Sequence, residues 1–164
     1  MRWTAYFHPK FKAEFDELSP AVQDELLASL VPLREFGPSL GRPEVDTLND
    51  SKYAKMKELR FRADGGVWRV AFAFDPQRNA ILLVAGDKAG VSEKKFYKRL
   101  IEKADKRYKE HLDNLSGLLT LLGWVALPGK IASVEARTTI KSEAIFPATL
   151  RDGADFPGFF VARR

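Results

Sequence analysis

Three arginines on two neighbouring strand-like segments define the chemistry open to this chain. In MKELRFRADGGVWRVAFAFDP, Met56 to Pro76, the residues Arg60, Arg62 and Arg69 alternate with large apolar ones. Side chains alternate across a strand. Leu59 and Phe61 therefore pair with Trp68, Val70, Phe72 and Phe74 on a core face, and Glu58, Arg60 and Arg62 share the outward face with Arg69, Ala71 and Ala73. The two alanines predict a shallow concavity beside the guanidinium groups. Lys88 and the basic run Lys94, Lys95 and Lys98 can rim it. A guanidinium suits phosphate because its planar fork donates two parallel hydrogen bonds and never loses its proton. Like charges held together cost stability until an anion neutralises them. The competing reading pairs the arginines with Glu58 and Asp64 as surface salt bridges, each worth about 0–1 kcal/mol. Three guanidinium groups against one or two carboxylates leave a surplus, which favours an anion-binding face.

The flanking pattern supplies the elements that hold this face. Trp3 to Phe7 reads as a short strand, and Lys10 to Glu17 as a helix with Phe11 and Phe15 four residues apart. Ser19-Pro20 is a helix start, and Val22, Leu26, Leu27, Leu30 and Leu33 form its apolar stripe as far as Gly37. Pro32 falls inside that stripe and predicts a kink or a shorter helix. After a loop from Gly37 to Ser51 come three strands, near Tyr53–Arg62, Val67–Asp75 and Ala80–Ala85, joined at hairpin length. A last helix runs from Glu93 to about Leu115, with Phe96, Leu100, Ala104, Tyr108 and Leu112 on one stripe. Residues 1–115 thus form one domain. Residues 116–164, rich in glycine and without a helical period, read as a weakly structured extension, with Lys130 to Phe146 able to form polar strands.

Composition narrows the class of partner. The chain has 164 residues, 45% of them hydrophobic, and carries a net charge of +5. That is enough to bury a core. The charge is unevenly spread: residues 1–51 hold 5 basic and 9 acidic side chains, residues 52–109 hold 16 and 7. Such asymmetry predicts a polyanion, or an acidic protein, as partner of the basic part. Without cysteine there are no disulfides or thiolate metal sites, which fits a reducing cytosol. No stretch has the character of a signal peptide or the length of a membrane span.

In its order of elements, the first 115 residues resemble the RelE/ParE superfamily of type II toxins. The segments FHPKFKAEFDEL, MKELRFR, WRVAFAFDP, LLVAGDK and FYKRLIEKADKRYKEHL are most similar to its HigB-type members. The resemblance implies an α+β, RelE-like fold, β-α-α-β-β-β-α, with a mainly antiparallel β-sheet packed against an N-terminal helical hairpin and a C-terminal helix. It implies a cytoplasmic, ribosome-dependent endoribonuclease that cuts mRNA and arrests translation, with no cofactor, metal or membrane, and with a HigA-type antitoxin as partner. Carried over by position, Arg60, Arg62, Arg69, Lys88, Tyr97 and Glu58 are the candidate catalytic residues. Lys57, Lys94, Lys95 and Lys98 are the candidate RNA-binding lysines. Metal-free cleavage uses the RNA 2′-hydroxyl as nucleophile, so the site must take its proton, neutralise the phosphorane and help the leaving oxygen. Candidates for the base are Glu58, Tyr97 or a lysine whose pKa its basic neighbours depress. His8 and His111 read as capping or surface residues. Two other classes remain open: a ParE-like toxin that poisons gyrase without cutting RNA, and a non-catalytic nucleic-acid-binding module.

Overall fold

A computed structural model describes residues 2–121 of the chain. Its elements are β1 (Thr4–Phe7), α1 (Pro9–Asp16), α2 (Pro20–Phe36), β2 (Val45–Thr47), β3 (Met56–Ala63), β4 (Gly66–Phe74), β5 (Asn79–Asp87) and α3 (Glu93–Leu121). The five strands form one sheet in the order β1-β5-β4-β3-β2. All neighbours are antiparallel except β1, which runs parallel to β5. The α+β class and the helical hairpin, sheet and last helix are as the sequence predicts. The additions are the three-residue strand β2 and the parallel edge. No helix among the described residues is long and apolar enough to cross a membrane.

Both faces of the sheet are covered, and this corrects the sequence reading. On one side α1 and α2 pack against β5 and β3. Their stripes Phe11, Phe15, Val22, Leu26, Leu30 and Leu33 are buried, as are Leu59, Val70, Phe72 and Leu82 of the sheet. On the other side Phe96, Leu100, Ile101, Ala104 and Tyr108 of α3 form a core cluster with Met56, Ala71, Ala73, Ile81 and Leu83. Ala71 and Ala73 are therefore no open concavity: both are fully buried. Small side chains there let a helix approach the strand closely.

Helix α2 passes through Pro32 without ending. Proline removes one backbone donor from the ladder, but Leu30 and Leu33 on either side of it are buried, and tertiary packing outweighs the local cost. The helix stops at Gly37, with φ +54°, where a Cβ would also fall within 2.2 Å of the Trp3 indole. Only glycine fits both constraints.

Helix α3 is pinned to the first helix through a defect in the sheet. The register between β4 and β5 shifts after Ala71, pairing Ala71 with Val84 and Phe72 with Leu82, so that Leu83 is the extra residue. The Leu83 carbonyl accepts from the Arg107 guanidinium at 2.7 Å, and Arg107 also holds Glu14 of α1 at 2.5–2.8 Å. The hydrogen bond from Arg107 outweighs burial and holds the Glu14 carboxyl below its ordinary value of 4.5. A carboxylate whose pKa is depressed on folding stabilises above its unfolded pKa, and that stability is lost as pH falls through the folded value. The melting temperature of Glu14→Gln is therefore expected to lie below the parent's at pH 7, with the gap closing below pH 4.5. A gap that is constant across a titration from pH 7 to 3 would show that the pair is not what pins α3. Helix α3 also runs on to Leu121, past the end expected near Leu115. The polar strands expected at Lys130 to Phe146 lie outside the described residues.

Candidate active site

The arginine cluster forms because β3 and β4 pair in a register that sets Arg60 directly opposite Arg69. Two cations facing each other across a ladder repel. Glu58, two residues along β3 and paired with Ala71, lies on the same face and offsets that repulsion. Its carboxylate is 2% exposed. Oε1 accepts from Arg60 Nε at 2.8 Å and from the Tyr97 hydroxyl at 3.3 Å. Oε2 lies 3.8 Å from Arg69 Nε, and both of these buried atoms lack a hydrogen-bond partner. A carboxylate with one oxygen hydrogen-bonded and the other held only by a long ion pair is unusual in a core, where buried polar atoms normally have hydrogen-bond partners.

Helix α3 brings the rest. Its first turns place Tyr97 over Glu58, and Lys88, in the loop before the helix, sets its ammonium 5.3 Å from the Tyr97 ring centre. Lys88 also pairs with Glu93 at 2.6 Å. That hydrogen bond holds the Glu93 carboxyl below its ordinary value. Glu93 is 69% exposed, so the pair contributes little and is easily displaced. Arg60 reaches a second carboxylate, Asp46 of β2, at 2.8 Å. Burial works against the Arg60 charge, but the bonds to Glu58 and Asp46 outweigh it and raise its pKa.

Of the candidates from sequence, Glu58, Arg60, Arg69, Lys88 and Tyr97 converge. Glu58 and Arg69 do so beneath α3 rather than on an open face, because the helix covers the sheet there. Arg62 lies on the same face nearer the hairpin, exposed, with no ion pair among the described residues. Lys57 alternates to the opposite face, between Glu58 and Met56, and is not brought to the cluster. Lys94 and Lys98 line a groove of about 1040 Å³ between α3 and the β2–β3 connection, which Asp46, Glu58, Arg60, Tyr97 and Tyr53 also line. Lys95 is exposed and is not among the residues that line it. Asp64 does not pair with the arginines: it accepts from Ser19 at 2.9 Å. Sequence reasoning missed Asp46 and Glu93. The signal for Asp46 is only a Val-Asp-Thr alternation three residues long. His8 caps α1 through Nδ1, as expected, whereas His111 is half-buried and pairs with the buried Asp75 at 3.1 Å instead of standing on the surface.

Among the described residues no three carboxylates or histidines converge as metal ligands. The family model of the phage derived protein Gp49-like (DUF891) matches residues 13–109. The chain is 40% identical over 111 residues to the candidate toxin HigB2 of Mycobacterium tuberculosis, a match that covers 67% of this chain and 54% of that protein. It is 41% identical over 109 residues to the candidate toxin HigB3 of the same organism, which covers 66% of this chain and 93% of that protein. The chain thus spans about half the length of HigB2 and almost all of HigB3. Among solved structures, a doubly arginine-substituted RelE toxin of Escherichia coli in the free state aligns with TM-score 0.48 at 19% identity, over 65% of this chain and 98% of that one. The site residues, from Asp46 to Tyr97, all fall within the matched residues 13–109, and the chain belongs to the Gp49-like (DUF891) family, as a HigB-type member.

Proposed function

We propose that the protein is the toxin of a type II toxin–antitoxin pair and cuts mRNA on the ribosome. The observation that carries this is the buried Glu58 carboxylate, anchored by Arg60 and Tyr97 on one oxygen and without a hydrogen bond on the other, 3.8 Å from Arg69. In this scheme Glu58 Oε2 takes the proton of the RNA 2′-hydroxyl. The 2′-oxygen then bonds to phosphorus while Arg60 and Arg69 neutralise the phosphorane oxygens. The bond from phosphorus to the 5′-oxygen breaks, and Lys88 gives that oxygen a proton. The products are a 2′,3′-cyclic phosphate and a 5′-hydroxyl, and no metal is used. Because Glu58 is covered by the start of α3, the RNA must be delivered in a fixed orientation, a role suited to the ribosome.

Inducing the chain alone is expected to halt growth, and co-expressing a HigA-type antitoxin from an adjacent reading frame to restore it. Primer extension on mRNA recovered after induction should find new ends inside translated frames. Intact transcripts together with trapped gyrase–DNA complexes would replace this reading by that of a gyrase poison.

A further inference from the structure

Two guanidinium groups converge on one carboxylate oxygen at the edge of the sheet. Asp46 Oδ2 lies 2.7 Å from a terminal nitrogen of Arg42, 3.0 Å from Arg42 Nε and 2.8 Å from a terminal nitrogen of Arg60. Its other oxygen accepts from the Thr47 N–H at 2.9 Å. Asp46 stands on β2, the outermost strand, and lines the groove that leads to Glu58 and Tyr97. An oxygen held between two arginines occupies the position that a phosphodiester oxygen takes in the same fork.

We propose that Arg42 and Arg60 form a phosphate subsite for the RNA strand, next to the cleavage site, which the Asp46 carboxylate fills in the free protein. The inference rests on the nuclease reading and extends it by one backbone phosphate. Three features support it. Arg42 is 75% exposed and among the described residues is held by Asp46, so its exchange of partner is cheap. Arg60 is common to both places: it bonds Glu58 at the cluster and Asp46 at the edge, so it joins the two sites physically. The groove continues from Asp46 past Lys94, Lys98 and Lys106, whose charges a polyanionic strand can follow between the carboxylates Glu93, Glu102 and Asp105 that also line it. The bonds from Arg42 and from the Thr47 N–H hold the Asp46 carboxyl below its ordinary value, and as a carboxylate, charged at neutral pH in any case, it competes with phosphate. Asp46 is thus a built-in competitor that a strand must displace.

The test uses the full chain and a single-stranded 2′-O-methyl oligonucleotide, which binds but cannot be cut. Its affinity is measured by fluorescence anisotropy across a range of KCl concentrations. Arg42→Ala is expected to weaken binding about fivefold and to reduce the salt slope by about 0.7, the value for one phosphate contact on a single strand. Asp46→Asn is expected to tighten binding about fivefold by removing the competing charge. If the parent binds and neither variant changes affinity or slope, the pair is a surface salt bridge and the subsite is overturned while the nuclease reading stands. If the parent cuts mRNA in cells but does not bind the oligonucleotide, the subsite is equally overturned, because the ribosome then supplies the backbone contacts. Absence of both cutting and binding removes the nuclease reading and the subsite together. Arg42 is too exposed for its loss to unfold the chain, so a poorly folded Asp46→Asn would still leave a decisive variant.

Discussion

Glu58→Ala is expected to destabilise the fold by about 3 kcal/mol. Removing one partner of a buried ion pair leaves the other charge uncompensated and costs about 3–5 kcal/mol. The low end applies here because Arg60 keeps part of its water. With the carboxylate gone, Arg60 and Arg69 face each other across the ladder with nothing between them, and Tyr97 loses its acceptor. Glu58→Gln keeps an acceptor for Arg60 and most of the shape, so its stability should fall by only about half as much. Its cleavage of mRNA should nevertheless vanish, since an amide cannot take a proton at neutral pH. Urea denaturation followed by circular dichroism measures the first effect, and toxicity on induction the second. A stable Glu58→Ala, or a fully toxic Glu58→Gln, would show that this carboxylate is not the centre of the site.

Arg69→Ala is expected to lower the cleavage rate by about 10²–10³, or roughly 3–4 kcal/mol of transition-state stabilisation, as loss of a preorganised donor typically does. Its backbone is held by β3 on one side and β5 on the other, and a terminal nitrogen of its guanidinium donates to the Trp68 carbonyl at 2.8 Å. The charge is therefore in place before any RNA arrives. Stability should change by less than for Glu58, because the repulsion from Arg60 disappears together with the attraction to Glu58. Arg69→Lys should recover only part of the rate, since lysine lacks the planar fork. Primer extension with equal amounts of folded protein compares the three. Undiminished cutting by folded Arg69→Ala would move the chemistry away from this face.

The face that carries the arginines was readable from alternation alone, because Arg60 and Arg69 stand in strands too regular to mistake. What alternation did not reveal is that the face is roofed. The stripe Phe96, Leu100, Ala104 and Tyr108 was visible as a stripe, but a stripe does not say which side of a sheet it covers, and Ala71 and Ala73 suit a shallow hollow and a helix seat equally well. Glu58 illustrates the same gap. A carboxylate between arginines reads as a surface residue unless one knows that a tyrosine four residues into α3 closes over it. Strand β2 escaped because its three residues, Val45–Thr47, are too few to give a period. Pro32 misled for the opposite reason: a strong local rule was overridden by leucines packed on both sides of it.

The parallel pairing of β1 with β5 has a consequence for how the protein is made. Thr4 to Phe7 pair with Asn79 to Leu82, so the first strand has no neighbour until the last strand exists. The early segment must wait through the synthesis of most of the chain, and such distant pairings are slow to form. Tyr97 and the helix that roofs the arginines come later still. A nascent chain thus presents the guanidinium groups of β3 and β4 to solvent before Tyr97 and the rest of α3 exist to cover them.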